Sequence, residues 1–281
     1  MNIKKLSIPV TLFSFMLILA GASVHAEKTP LSYKDYAFVL KTYVNGRGMV
    51  NYKDLKAHRS RLDNFAHSLA QVRHNEYKAW TKEDKIAFWI NAYNGLTLIA
   101  IINNYPIRPS FVTSLVYPKN SIRQISGVWD ELTFNIMGTA VTLDETEHKR
   151  LRRDFNEPRI HMALVCAAKS CPPLRNEPYK GSQLDAQLKD QTVTFLNNPE
   201  NFRISPEEGK IYLSSIFKWF GEDFIVTYGG NEKFNNYGEK EGAVLNFIVQ
   251  HLDKKEQQYL LSHNYSIEYL DYDWSLNEQK E

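Results

Sequence analysis

Cysteine is the scarcest chemistry-bearing residue in this chain, with two in 281 residues, Cys166 and Cys171. Two thiols exclude a disulfide scaffold of several bridges and a four-cysteine zinc site. Net charge is also scarce. The chain carries 34 basic and 32 acidic side chains, and Lys4 and Lys5 account for the difference. A balanced surface gives no electrostatic case for nucleic acid or an anionic membrane. The one basic cluster, Lys149 to Arg153, follows Asp144-Glu145-Thr146-Glu147 on one predicted helix. Acids at the start and bases at the end complement that helix's own dipole. No Gly-rich phosphate loop, G-x-S-x-G or H-E-x-x-H occurs, and no cofactor is expected. Low-complexity linkers and internal repeats are absent as well.

What is present starts with an export signal. Lys4 and Lys5 form a short basic region, Leu6 to Ala20 an apolar one, and Val24-His25-Ala26 offers small residues before Glu27. The apolar run is shorter than the ~20 residues of a spanning helix, and Pro9 interrupts it. The expectation is a signal peptide over residues 1–26, cleaved to leave a periplasmic or secreted protein with no integral membrane segment. An uncleaved N-terminal anchor is the alternative. Roughly 255 residues remain, enough for one large core, and a single domain over 27–281 is expected.

Helical signals dominate the first half. Ser32 with Asp35 reads as a capping box, and Leu55, Leu62, Phe65 and Leu69 recur at helical spacing through residues 53 to 71. Thr81 with Asp84 caps a helix over 82 to 103 that is apolar nearly all round, which predicts a buried central element. A hairpin is expected from Phe134 to Leu143 with its turn near Gly138. A helix capped by Asp144 and Glu147 then runs to Phe155, and residues 159 to 166 read as a buried strand. Ser182 with Asp185 opens a further helix. A hairpin over 201 to 214 follows, then helices near 214 to 220 and 240 to 251, and a last strand from Tyr265 to Trp274. Without a regular βαβ rhythm the class is α+β: a central apolar helix, surrounding helices and a small mixed or antiparallel sheet.

The chemistry concentrates between Arg159 and Pro173. Cys166 and Cys171, in an exported chain, have the spacing of a disulfide that would contribute about 2 kcal/mol. Alternatively, Cys166 is a nucleophile at a strand end, activated by a base or positive field. His161 is a poor partner on a strand, because five residues span ~16 Å and an odd offset separates the faces. His148, on the preceding helix, is the expected base, with Lys169 and Arg175 as sources of positive charge. Asn91 and Asn94 share a face of the central helix, and buried amides must find partners. They either bond neighbouring backbone or donate to a ligand or oxyanion. Arg159, Asn91 and His161 are candidate binding residues, and Asn94 joins Cys166 and His148 as a catalytic candidate. The His and Cys spacings match no compact zinc signature.

Ala87-Phe-Trp-Ile-Asn-Ala-Tyr-Asn94, Asp144-Glu-Thr-Glu-His148 and Arg159-Ile-His161 through Cys166-Ala-Ala-Lys-Ser-Cys-Pro172 resemble the domain of unknown function 547 family. So do Leu213 to Phe220 with Asp223-Phe224, and Tyr272-Asp-Trp-Ser-Leu-Asn277. The resemblance runs in order over roughly residues 33 to 277. It implies one domain across nearly the whole mature chain, often exported in bacteria, and it assigns no catalytic residue. Two functions follow as expectations. One is a cysteine-dependent hydrolase or acyl transferase using Cys166 and His148. The other is a non-catalytic, envelope-associated binding domain stapled by Cys166–Cys171.

Overall fold

The chain enters its fold through α1 (Lys34–Tyr43), α2 (Tyr52–Ala57), α3 (Ser60–Gln71) and α4 (His74–Ala79). The structure, a computed structural model, describes residues 31–230 and 232–280. The expected signal peptide lies outside the described residues. At α1 the capping box does not form. Ser32 Oγ accepts from the Lys34 N–H, and the Asp35 carboxylate is taken by Arg61 at 2.7 Å. The single helix expected over 53 to 71 is two, interrupted at His58. Both pieces still bury the expected residues, Leu55 on α2 and Leu62, Phe65 and Leu69 on α3.

Helix α5 (Lys82–Asn104) organises the molecule. The Thr81 hydroxyl accepts from the Asp84 N–H at 3.0 Å, the predicted cap. Every residue from Ile86 to Ile102 is buried, which explains a sequence with no polar face. By length and composition α5 could cross a membrane. Its most apolar stretch is instead 94% buried within the protein.

The hairpin follows as expected: β1 (Phe134–Ile136) pairs antiparallel with β2 (Thr139–Val141). Met137 and Gly138 both have positive φ, 53° and 76°, as a two-residue turn matching strand twist requires. The next helix, Glu145–Arg152, is a π-helix. Its start differs from the Asp144/Glu147 box. Thr142 and Glu145 exchange the reciprocal bonds instead, each side chain accepting from the other's backbone N–H. Asp144 and Glu147 are thereby left for other work.

The strand expected over 159 to 166 is absent. Pro158 opens a 3-10 turn, Pro158–Met162, started by the Glu157 side chain accepting from the Arg159 N–H. The chain then runs irregularly to the cysteines. This run is apolar because it lies where two cores meet: Ile160 and Ala163 join one cluster and Met162 the other. Continuous burial, read as a strand, came from neighbours rather than from a sheet.

Beyond it lie α6 (Leu184–Leu196), β3 (Phe202–Ser205), β4 (Lys210–Leu213), α7 (Ser215–Phe220), α8 (Ile225–Tyr228), α9 (Glu239–Ile248), α10 (Lys254–Ser262) and β5 (Ser266–Tyr269). The Ser182/Asp185 cap of α6 does not form: a 3-10 turn precedes the helix, and Asp185 accepts from Arg159. Strands β3 and β4 are antiparallel, and β5 joins β4 in parallel, giving a mixed three-stranded sheet. The final strand is shorter than expected and stops at Tyr269, so the aromatics after it leave the sheet. The architecture is α+β, with the first core around α5 and the second among β3, β4, α7 and α9.

Candidate functional site

A cleft of about 190 Å³ opens at the seam of the two cores. From the first core come Tyr93 of α5 and Leu164. The second supplies Ile216, Trp219 and Phe220 of α7, and the π-helix adds Asp144, Glu147 and His148. The chain beyond β5 closes the wall with Tyr272 and Trp274, beside Trp129 and Arg123. Aromatic faces predominate. Trp219 lies 4.8 Å from Tyr272 and 6.0 Å from Trp274 between ring centroids, and Trp129 meets Trp274 edge-on at 6.2 Å. The Arg123 guanidinium sits over Tyr117, Trp129 and Trp274, which anchors the rings from one side.

The polar groups are held by defined partners. His161 is 3% exposed and stacks on Phe220 at 4.3 Å, with Nε2 2.7 Å from the Asp223 carboxylate. Arg152 grips the same carboxylate through Nε at 2.6 Å and Nη2 at 2.9 Å. Burial pushes the Asp223 pKa up, but the hydrogen bonds from His161 and Arg152 outweigh it and hold the carboxyl well below the usual range. Arg152 Nη1 also donates to His148 Nδ1 at 2.7 Å, while His148 Nε2 lies 3.1 Å from Asp144. An arginine can only donate, so Nδ1 accepts and Nε2 carries the proton toward Asp144. Both His148 nitrogens are therefore engaged. Burial, followed by the nearby Glu147 carboxylate, pushes the Tyr93 phenol well up.

Cys166 and Cys171 form a disulfide with a Cα separation of 6.2 Å, inside the usual range. Cys166 lines the cleft and is half-buried, whereas Cys171 is 5% exposed and is not among the lining residues. Between them Ala167 has φ 59°, an unfavourable conformation for a residue with a Cβ. The C-terminal segment holds that turn in place. Asn277 N–H donates to Ala167 O, Lys169 N–H to Ser275 O, and Ser170 N–H to Asp273 O. The Tyr272 hydroxyl donates to Cys171 Sγ at 3.2 Å and lies 3.3 Å from Cys166 Sγ.

The remaining sequence candidates separate clearly. Asn94 Nδ2 donates to Ala163 O and its Oδ1 accepts from Val165 N–H. Asn91 does the same with both backbone groups of Tyr179. Each amide clamps an irregular segment to α5. Arg159 pairs with Glu157 and Asp185 and is not among the residues lining the cleft. Cys166, His148 and His161 do line one cleft. Because residues 158–162 form a 3-10 turn rather than a strand, His161 and Cys166 are not held on opposite faces. Trp129 was not singled out in the sequence, and Asp223 and Trp219 entered only through the family resemblance, not as site residues. They lie far along the chain from the cysteines, and no local spacing links them.

Residues 77–196 match the model of the family described as "Protein of unknown function, DUF547". The match supports that domain family over a stretch running from α4 through α6, narrower than the resemblance read from sequence. It contains His148, His161 and both cysteines, while Trp219, Asp223 and Tyr272 lie beyond it. No curated protein and no solved structure matches the chain.

Proposed function

We propose that this is an exported, envelope-associated binding domain whose aromatic cleft holds a glycan. The observation that carries this reading is the wall of Trp219, Tyr272 and Trp274 beside the carboxylates of Asp144 and Glu147. A pyranose ring presents C–H groups on its faces and hydroxyls at its edge. Aromatic faces suit the first, and a few convergent polar groups fix the second. Trp219 is 46% exposed despite its size, as a ring awaiting a partner would be. The closed Cys166–Cys171 pair supports the non-catalytic form of the reading, because a disulfide sulfur is not a nucleophile. Titrating the full chain with soluble β-linked oligosaccharides tests it by tryptophan fluorescence. Saturable binding that weakens roughly tenfold in Trp219→Ala is expected. Absence of saturable binding, or equal affinity in the variant, overturns it.

A second reading is a hydrolase or acyl transferase acting through reduced Cys166. It is favoured by the sulfur sharing a cleft with His148 and with the Asp223-held His161. Thioester turnover by the reduced protein, abolished in Cys166→Ser, is its expected signature. Turnover unchanged by that substitution removes it.

A further inference from the structure

The two sulfurs of the disulfide are placed differently, and the difference has a direction. Cys166 faces the cleft, open to an incoming group. Cys171 is buried and collects donors. The Cys166 N–H points at Cys171 Sγ from 3.1 Å and the Ala168 N–H from 3.4 Å, and the Tyr272 hydroxyl, also 3.3 Å from Cys166 Sγ, reaches Cys171 Sγ at 3.2 Å. Three donors on one sulfur have little to stabilise while it is neutral. They have much more to stabilise once it carries charge. We propose that Cys166–Cys171 is a thiol–disulfide exchange site, in which Cys166 is attacked from the cleft and Cys171 departs as a thiolate. The exchange requires no glycan, although the attacking group would enter by the same cleft that a glycan would fill.

The exchange balances with a thiol donor as co-reactant. A donor thiolate attacks Cys166 Sγ, the new S–S bond forms, and the bond to Cys171 breaks with its electron pair remaining on Cys171. A second donor thiolate then attacks the donor sulfur of the mixed disulfide. That releases oxidised donor and leaves Cys166 as a thiolate, which takes up a proton from water. The two electrons come from the donor's two thiols. Burial pushes the Tyr272 phenol far up and keeps it protonated, so it remains a donor throughout. The left-handed Ala167, fixed between the two sulfurs by the C-terminal segment, adds backbone strain within the six-residue turn.

Reduced glutathione is the probe, applied to the folded full chain without denaturant. The reaction is quenched by alkylation and mapped by mass spectrometry. The expected product is a glutathione adduct on Cys166 with Cys171 alkylated. Tyr272→Phe should slow the first step roughly tenfold, since one charge-assisted hydrogen bond to the leaving sulfur is lost. Three outcomes overturn the proposal: a pair that reduces only after denaturation, an adduct on Cys171, or an undiminished rate in a folded Tyr272→Phe. Adduct position is read on the unaltered protein and decides the matter even if the variant does not fold.

Discussion

At Asn94 one side chain ties the backbone just before Cys166 to the central helix. Its amide satisfies Ala163 O and Val165 N–H, both buried. In Asn94→Ala those two backbone groups lose their partner in a place water does not reach. At ~1–3 kcal/mol for each orphaned group, partly relaxed, the variant should lose about 2–4 kcal/mol in urea denaturation. A loss below about 1 kcal/mol shows that the segment is held by other means. The partners of this amide were not legible in the sequence. The need for partners was, since amides on a helix apolar on every side must be bonded. Similarly, the hydrogen-bond partner of the buried His161 imidazole was not legible. That partner, Asp223, lies 62 positions away and carries no local mark.

Elements whose ends are set locally were read correctly. Thr81 with Asp84, the Met137-Gly138 turn and Ser214 before α7 each fix a boundary within a few residues. Thr81→Ala should therefore cost about 1 kcal/mol, measured as a lowered denaturation midpoint with unchanged slope. An unchanged midpoint would show that packing of α5 alone decides where it starts. Misreadings occurred where another partner, near or far along the chain, claimed the capping group. Near α1, Asp35 bonds Arg61 instead of closing a box with Ser32. Before the π-helix, Thr142 takes the capping role and frees Asp144 for His148. The cleft itself was hidden for a related reason. Its walls come from α5, the π-helix, α7 and the chain after β5, and only the tertiary fold gathers them.

Across the whole molecule, stability should form a plateau bounded by two sets of groups. Asp223 has a folded pKa below its ordinary value of 3.8. Its contribution is therefore complete above that value and is lost as pH falls below it. The buried tyrosines act in the opposite direction. Burial raises Tyr33, Tyr36, Tyr52, Tyr179 and Tyr272 above the ordinary 10.0, and Tyr269 to about 12. The unfolded chain releases these protons first, so stability is full below pH 10 and declines above it. Denaturation series across the pH range, with tyrosinate absorbance followed at the alkaline end, should show both shoulders. A midpoint that stays constant from pH 10 to 12 would mean that these phenols ionise without resistance from the fold.

The segment that pins the cysteine turn is made long after the turn itself. Tyr272 stands 101 positions after Cys171, and Asn277 follows still later. A ribosome delivers the two cysteines long before these tethers exist to hold Ala167 in its left-handed turn. During that interval the pair is a short loop with none of the three C-terminal tethers, and Cys171 lacks the Tyr272 hydroxyl beside its sulfur. Contacts of such sequence separation form late in folding. The site is therefore completed only once Tyr272 and the residues after it have been added, and a chain halted before Tyr272 has its cysteines without that wall of the cleft.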